Sequence, residues 1–238
     1  MLPSCCITLQ LPLYKYYTKT DPLCPDFAAP QTCDVPLDVA FLVESSDNIS
    51  PRDYQRIKDF VKEAAAYLLT NGGEQQVGVI LFNSEATIRF KFGQYYSEFD
   101  FNRVIDNLPL EKGLGQIHKA LHIATTELFN DVGGSRPGVQ KLCIVLTNKK
   151  QAFAEDTKVL KDAATPLQRA GVRVIAIGVT SSVDWKALRA ITEDVKDVIV
   201  SHSCDSLVTK VSYLFKRVCV DAGKDHSLNV RMIQMKPR

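Results

Sequence analysis

From Leu37 onward the chain alternates between strands apolar on both faces and helices apolar on one, a pattern that few layer architectures satisfy. In DVAFLVESSDNIS, Val39, Phe41 and Val43 interleave with Ala40 and Leu42, so both faces of the strand are hydrophobic. Such a strand belongs inside a parallel sheet covered on each side by helices. Ser50-Pro51-Arg52-Asp53 then reads as a helix start: a capping hydroxyl, a proline suited to the first turn, and an acid at the positive end of the dipole. Tyr54, Ile57, Phe60, Val61, Ala64 and Leu68 recur at helical spacing until Asn71-Gly72-Gly73 stops the helix. QVGVILFN (76–83) predicts a second buried strand. EATIRFKF predicts its hairpin partner at an edge, with one face wet.

The pattern continues. A short helix is expected over 99–108. A longer one is expected over 114–129, with Leu114, Ile117, Leu121, Ala124 and Leu128 on one face. VQKLCIVLTN (139–148) predicts a strand. Residues 155–171 predict a helix closed by Gly171, with Pro166 kinking it or marking its last turn. VRVIAIGVT (172–180), a short VDWKALRAIT helix, a DVIVSH strand and a final amphipathic helix in CDSLVTKVSYLFKRVC complete the series. The sum predicts an α/β fold: a doubly wound, mostly parallel sheet with an antiparallel hairpin strand at one edge. Before it, residues 1–32 carry Pro3, Pro12, Pro22, Pro25 and Pro30 with no sustained period, and read as an irregular leader or linker. Residues 220–238 read as a C-terminal tail.

Composition narrows the partners. A net charge of +2 over 238 residues, with the basic residues scattered, argues against nucleic acid. No run approaches the roughly 18 apolar residues of a membrane span, so membrane insertion is not expected. MLPSCCITLQLPLY lacks a basic n-region and is broken by Pro3 and Pro12, which makes it a poor signal peptide as written.

Ligands of open α/β sheets bind at the carboxyl ends of the central strands. There the first strand runs into Glu44, Ser45, Ser46, Asp47 and Asn48, which together could hold a hard cation or form an ordinary polar loop. Little else suggests chemistry. Gly113-Leu114-Gly115 is too short and misplaced for a dinucleotide fingerprint. His118 and His122 share helical spacing but lack a third ligand in sequence, so an ordinary surface pair is expected. Trp185 is expected to pack, and Cys143 reads as a buried hydrophobe in a strand. No nucleophile elbow or Cys–His arrangement is present, and no enzyme activity is expected.

Taken in order and spacing, PLDVAFLVESS, VGVILFNSEATIRF, KAL within GLGQIHKALHIA, KLCIVLTN, AGVRVIAIGV and LVTKVSYLFKRVC resemble the von Willebrand factor type A domains over roughly residues 35–219. Cys33 and Cys219, which flank this region, look most like the matrilin and collagen VI branch of extracellular matrix proteins. The resemblance implies a six-stranded domain spanning 33–219. It also implies a metal-ion-dependent adhesion site whose ligand positions fall on Glu44, Ser46, Asn48, Gly115 and Asn148. Only Ser46 keeps the family's residue type. Glu44 is one methylene longer than aspartate, Asn48 and Asn148 offer neutral amides, and Gly115 offers no side chain. Lys149 lies beside the missing second aspartate and could pair with Glu44 in the role of the ion. The expectation is therefore a degenerate site with no cofactor, weak Mg²⁺ or Ca²⁺ binding being the alternative.

The same resemblance implies that the domain's ends lie close together. A Cys33–Cys219 disulfide would then close nearly the whole domain, worth at most about 5 kcal/mol by chain entropy. A Cys24–Cys204 pairing is open but has no support in the sequence, while Cys5 and Cys6 are left over for an inter-chain bridge. Asn48-Ile49-Ser50 is a glycosylation sequon, although the following Pro51 disfavours modification. The function implied is a secreted, non-catalytic module that binds a matrix or cell-surface protein largely without metal. The alternatives are a metal-dependent adhesion domain with an unorthodox site, and an intracellular assembly scaffold.

Overall fold

The computed structural model describes residues 36–69, 74–94, 97–148, 155–180 and 183–201, with Leu207, Val211, Leu214 and Val218. All of them belong to one compact unit, Thr32–Arg238. Its centre is a six-stranded sheet of β1 (Leu37–Glu44), β2 (Gln75–Phe82), β3 (Ala86–Phe90), β4 (Gln140–Thr147), β5 (Val172–Gly178) and β6 (Val198–Val200), in the order β3-β2-β1-β4-β5-β6. Every pairing is parallel except β2 with β3, which is antiparallel and carries one register shift at Val79/Ile80. The expected edge hairpin is β2–β3.

Alternation sorts the side chains into two cores. Leu37, Val39, Phe41 and Val43 of β1 face one cluster, while Ala40 and Leu42 face the other. β4 divides in the same way, with Leu142, Ile144 and Leu146 opposite Cys143 and Val145. The first face is covered by α1 (Pro51–Leu69) through Ile57, Phe60, Val61, Ala64 and Leu68, and by α2 (Glu98–Asp106) through Phe101 and Ile105. Leu207, Val211, Leu214 and Val218 are buried in that same cluster, at the spacing predicted for the final helix. The second face is covered by α3 (Ile117–Ile123), α4 (Thr157–Arg169) and α5 (Trp185–Ala190). Each large apolar side chain fully buried in these layers contributes about 1.5–3 kcal/mol.

The cap expected at Ser50 forms, and two further helices carry aspartate caps that the sequence reading did not name. Ser50 Oγ accepts from the Asp53 backbone N–H at 3.1 Å, and Asp156 and Asp184 cap α4 and α5 through Lys158 N–H and Lys186 N–H. Pro166 lies in the last turn of α4 and Gly171 follows at φ 77°.

Two expectations are corrected. The helix predicted from 114 begins at Ile117, and Leu114 is 52% exposed in the preceding loop. Its backbone N–H donates to Ser84 Oγ at 2.9 Å, and this tie to the β2–β3 turn holds it outside the helix. Beyond Ile123 the helix widens into a π-helical turn, Ala124–Leu128, closed by Phe129 N–H to Ala124 O. Trp185, expected to pack, is 46% exposed because it opens α5, whose buried residues are Ala187 and Leu188.

Candidate functional site

With β1 between β2 and β4, the chain leaves β1 toward one side of the sheet for β2 and later crosses to the other for β4. The carboxyl ends of β1 and β4 therefore form the crevice where the winding reverses. Glu44, the last residue of β1, lies there and is fully buried. Its Oε2 accepts from Thr147 Oγ1 at 2.6 Å and from the Asn148 backbone N–H at 2.8 Å. Its Oε1 accepts from Ser46 Oγ at 2.5 Å, with a longer contact of 3.5 Å from the Asn48 side-chain amide. Four protein donors thus converge on one carboxylate, about as many as its lone pairs can take.

The neighbouring groups are committed to one another. Asn148 donates through Nδ2 to Asn48 O at 3.0 Å, and its Oδ1 accepts from Thr180 Oγ1 at 2.5 Å. The Asn48 backbone N–H donates to Ser46 Oγ at 3.2 Å. Gly115 lies directly against the Glu44 side chain: a Cβ there would stand 2.1 Å from Oε1 and 2.6 Å from the carboxyl carbon. Asp47, the other acid of the loop, is exposed and turned away, pairing with Gly113 through Gly113 N–H to Oδ2 at 3.0 Å and its own N–H to Gly113 O at 3.1 Å.

Around this centre the loops are sewn together. Ser45 Oγ donates to Pro109 O at 2.9 Å and accepts from the Glu111 N–H at 2.6 Å. The Tyr54 hydroxyl donates to the same Pro109 carbonyl at 2.8 Å, and burial pushes its pKa up to about 12. Glu111 in turn accepts from Asn83 Nδ2 at 2.8 Å and pairs with Arg89 at 2.6 Å. The α2–α3 loop is thereby tied to the β1–α1 loop and the β2–β3 turn.

The expected ligand positions Glu44, Ser46, Asn48, Gly115 and Asn148 therefore do meet at one strand end. Thr147, which ends β4, and Thr180, just past the end of β5, complete the arrangement but were not singled out by the sequence, since a threonine at such a place carries no motif of its own. Glu155 was also missed. Its carboxylate accepts from the Ile117 N–H at 2.7 Å and from the His118 N–H at 3.3 Å, and it contacts His118 Nδ1. Since the contact spans 37 residues, no local pattern announces it. His122 is exposed, and among the described residues no group of three His, Cys, Asp or Glu side chains could hold a metal. Cys143 is buried with a free thiol, which burial pushes up in pKa. Lys149, Cys5, Cys6, Cys24, Cys33, Cys204 and Cys219 lie outside the described residues.

The model of the von Willebrand factor type A domain matches residues 38–211. The chain belongs to this family. Among solved structures, this type A chain is similar to proximal thread matrix protein 1 from the mussel byssus, with TM-score 0.71 and 26% identity over 79% of this chain and 48% of that one. Another structure of that mussel protein, at TM-score 0.69 and 27% identity, has zinc in its MIDAS motif and is covered over 46% of its length. Among curated proteins the chain is 28% identical to the mouse collagen alpha-4(VI) chain over 81% of its length, and 27% identical to chicken matrilin-1 over 68%. It spans only 8% of the former and 32% of the latter.

Proposed function

We propose that this type A domain is a non-catalytic, extracellular matrix module that binds another matrix or cell-surface protein, and that it does so largely without a metal ion. The matrix setting is supported by its relatives, among them a collagen chain and a thread matrix protein. The observation that carries the metal-independent part is the state of Glu44. A divalent cation is held by several oxygens, with carboxylates offsetting its dehydration. Among the described residues at this strand end one buried carboxylate is available, and both of its oxygens already accept hydrogen bonds from the protein. Asn148 Oδ1 is engaged by Thr180, and position 115 has neither a side chain nor room for one. This donor set does not fit the family's metal.

The binding surface would then be the hydrogen-bonded loop face itself, presented without the ion that could bridge to a partner's carboxylate. In a secreted chain, a glycan on Asn48 would be built on the amide nitrogen that faces Glu44, and a peptide:N-glycosidase mass shift tests it. A Cys33–Cys219 bridge would close the domain and would appear as a linked peptide pair in a non-reduced digest. A Cys5 or Cys6 inter-chain bridge would appear as a dimer on non-reducing electrophoresis.

The zinc-bound mussel relative favours one second reading, a metal-dependent adhesion domain with altered ligands. Binding of the purified chain to an immobilised matrix extract, in EDTA and in Mg²⁺, separates the two. The matrix-module reading expects saturable binding of equal strength in both buffers. Binding that needs Mg²⁺ sustains the second reading, and absence of saturable binding in either buffer removes both.

A further inference from the structure

Glu44 and Gly115 are far apart in sequence, yet each departs from the family pattern in a way that makes room for the other. The backbone of Gly115 is not in the left-handed region, so its conformation does not require glycine. Space does. A Cβ would fall 2.1 Å from Glu44 Oε1, 2.6 Å from Cδ and 3.1 Å from Cγ. A flexible surface glutamate would swing aside from such a group. Glu44 is held by Thr147 Oγ1, the Asn148 N–H and Ser46 Oγ at 2.5–2.8 Å in a site with no exposure, so any movement breaks bonds to a buried carboxylate.

We infer that Glu44 and Gly115 form one unit, an internal latch in which the longer carboxylate fills the space over the glycine and ties the β1–α1 loop to the end of β4, and that this latch keeps a divalent cation out. The inference rests on the metal-free reading above and names the pair responsible for it. Two changes from the family pattern are thereby reduced to one structural decision. Lengthening the acid brings its oxygens to the donors of β4, and removing the side chain at 115 lets the acid lie there. Shortening the acid withdraws it from Thr147 and Asn148 and reopens the space for a hydroxyl at 115.

A double-mutant cycle in the full chain tests this. Gly115→Ala alone should lower the melting temperature by about 5 °C or more, as overpacking against a pinned group does. In a Glu44→Asp background the same substitution should cost less than half as much, since the carboxylate has withdrawn. If Gly115→Ala folds only together with Glu44→Asp, the rescue supports the latch. An equal cost in both backgrounds, or failure to fold in both, overturns it. As a second readout, Glu44→Asp/Gly115→Thr should gain a melting-temperature rise on adding Mn²⁺, and no gain would show that the pair is not what excludes the ion. The cycle uses no matrix partner. Failure to find matrix binding therefore leaves the latch standing, whereas additive substitutions remove the latch without touching the matrix reading.

Discussion

Arg136 and Asp38 show how much one residue pair can hold at the end of the sheet opposite Glu44. Asp38 has no exposed side-chain surface, and its carboxylate accepts from the Arg136 backbone N–H at 2.7 Å and from Arg136 Nε at 2.9 Å. The same guanidinium reaches the carbonyls of Leu37 and Glu74, joining the start of β1 to the segment before β2. Removing one partner leaves a buried charge with too few donors. Arg136→Ala should therefore destabilise the domain by about 3 kcal/mol, read from the shift in a urea unfolding midpoint. Cys143 makes the opposite case, a reactive group rendered inert by depth. With no exposure and a thiol pushed up in pKa by burial, it should resist iodoacetamide in the native protein and label once the chain is unfolded in urea, as peptide mass mapping would show. At this scale the sequence was partly readable. Cys143 sits in an apolar run and declares itself. Asp38 stands out as a charge between Leu37 and Val39, but its partner is 98 residues away, so nothing local identifies the pair.

Among the elements, α1 carries the clearest pH dependence. Tyr54 projects from its first turn into the core, 3% exposed, with its hydroxyl on Pro109 O. Burial lifts its pKa from 10.0 to about 12, so the folded state keeps the proton that the unfolded state releases above pH 10. The unfolded chain then binds fewer protons than the native one, and stability falls as pH rises between about 10 and 12. The loss attributable to Tyr54 should reach about 2–3 kcal/mol, and Tyr54→Phe should flatten that part of the curve in alkaline denaturant titrations. Element identity was largely legible because period-two and helical patterns report burial, and the two clusters divide β1 and β4 as the alternation of Val39, Phe41 and Val43 with Ala40 and Leu42 required. Boundaries were less legible. Leu114 has the spacing of a helix residue, but its N–H is claimed by Ser84, and a tertiary tie of that kind leaves no trace in periodicity. Trp185 misled for a related reason: hydrophobicity does not say which side of a first turn faces out.

For the whole molecule, strand order decides where function can reside. The sequence order of strands and helices implied a doubly wound sheet, and the observed order β3-β2-β1-β4-β5-β6 puts the reversal between β1 and β4, where Glu44, Ser46, Asn48, Gly115 and Asn148 gather. Their meeting point followed from the family resemblance. The hydrogen bonds they make there could not be read from residue types, because these depend on Thr147 and Thr180, which donate to Glu44 Oε2 and Asn148 Oδ1. In the reading proposed above, this strand end is held together by the protein's own hydrogen bonds rather than by an ion. Titration calorimetry of Mg²⁺ and Mn²⁺ into the purified wild-type chain decides between the two. Neither ion should give saturable heat; a one-site isotherm with a Kd tighter than about 1 mM, lost in Ser46→Ala, would mean that the strand end holds a cation.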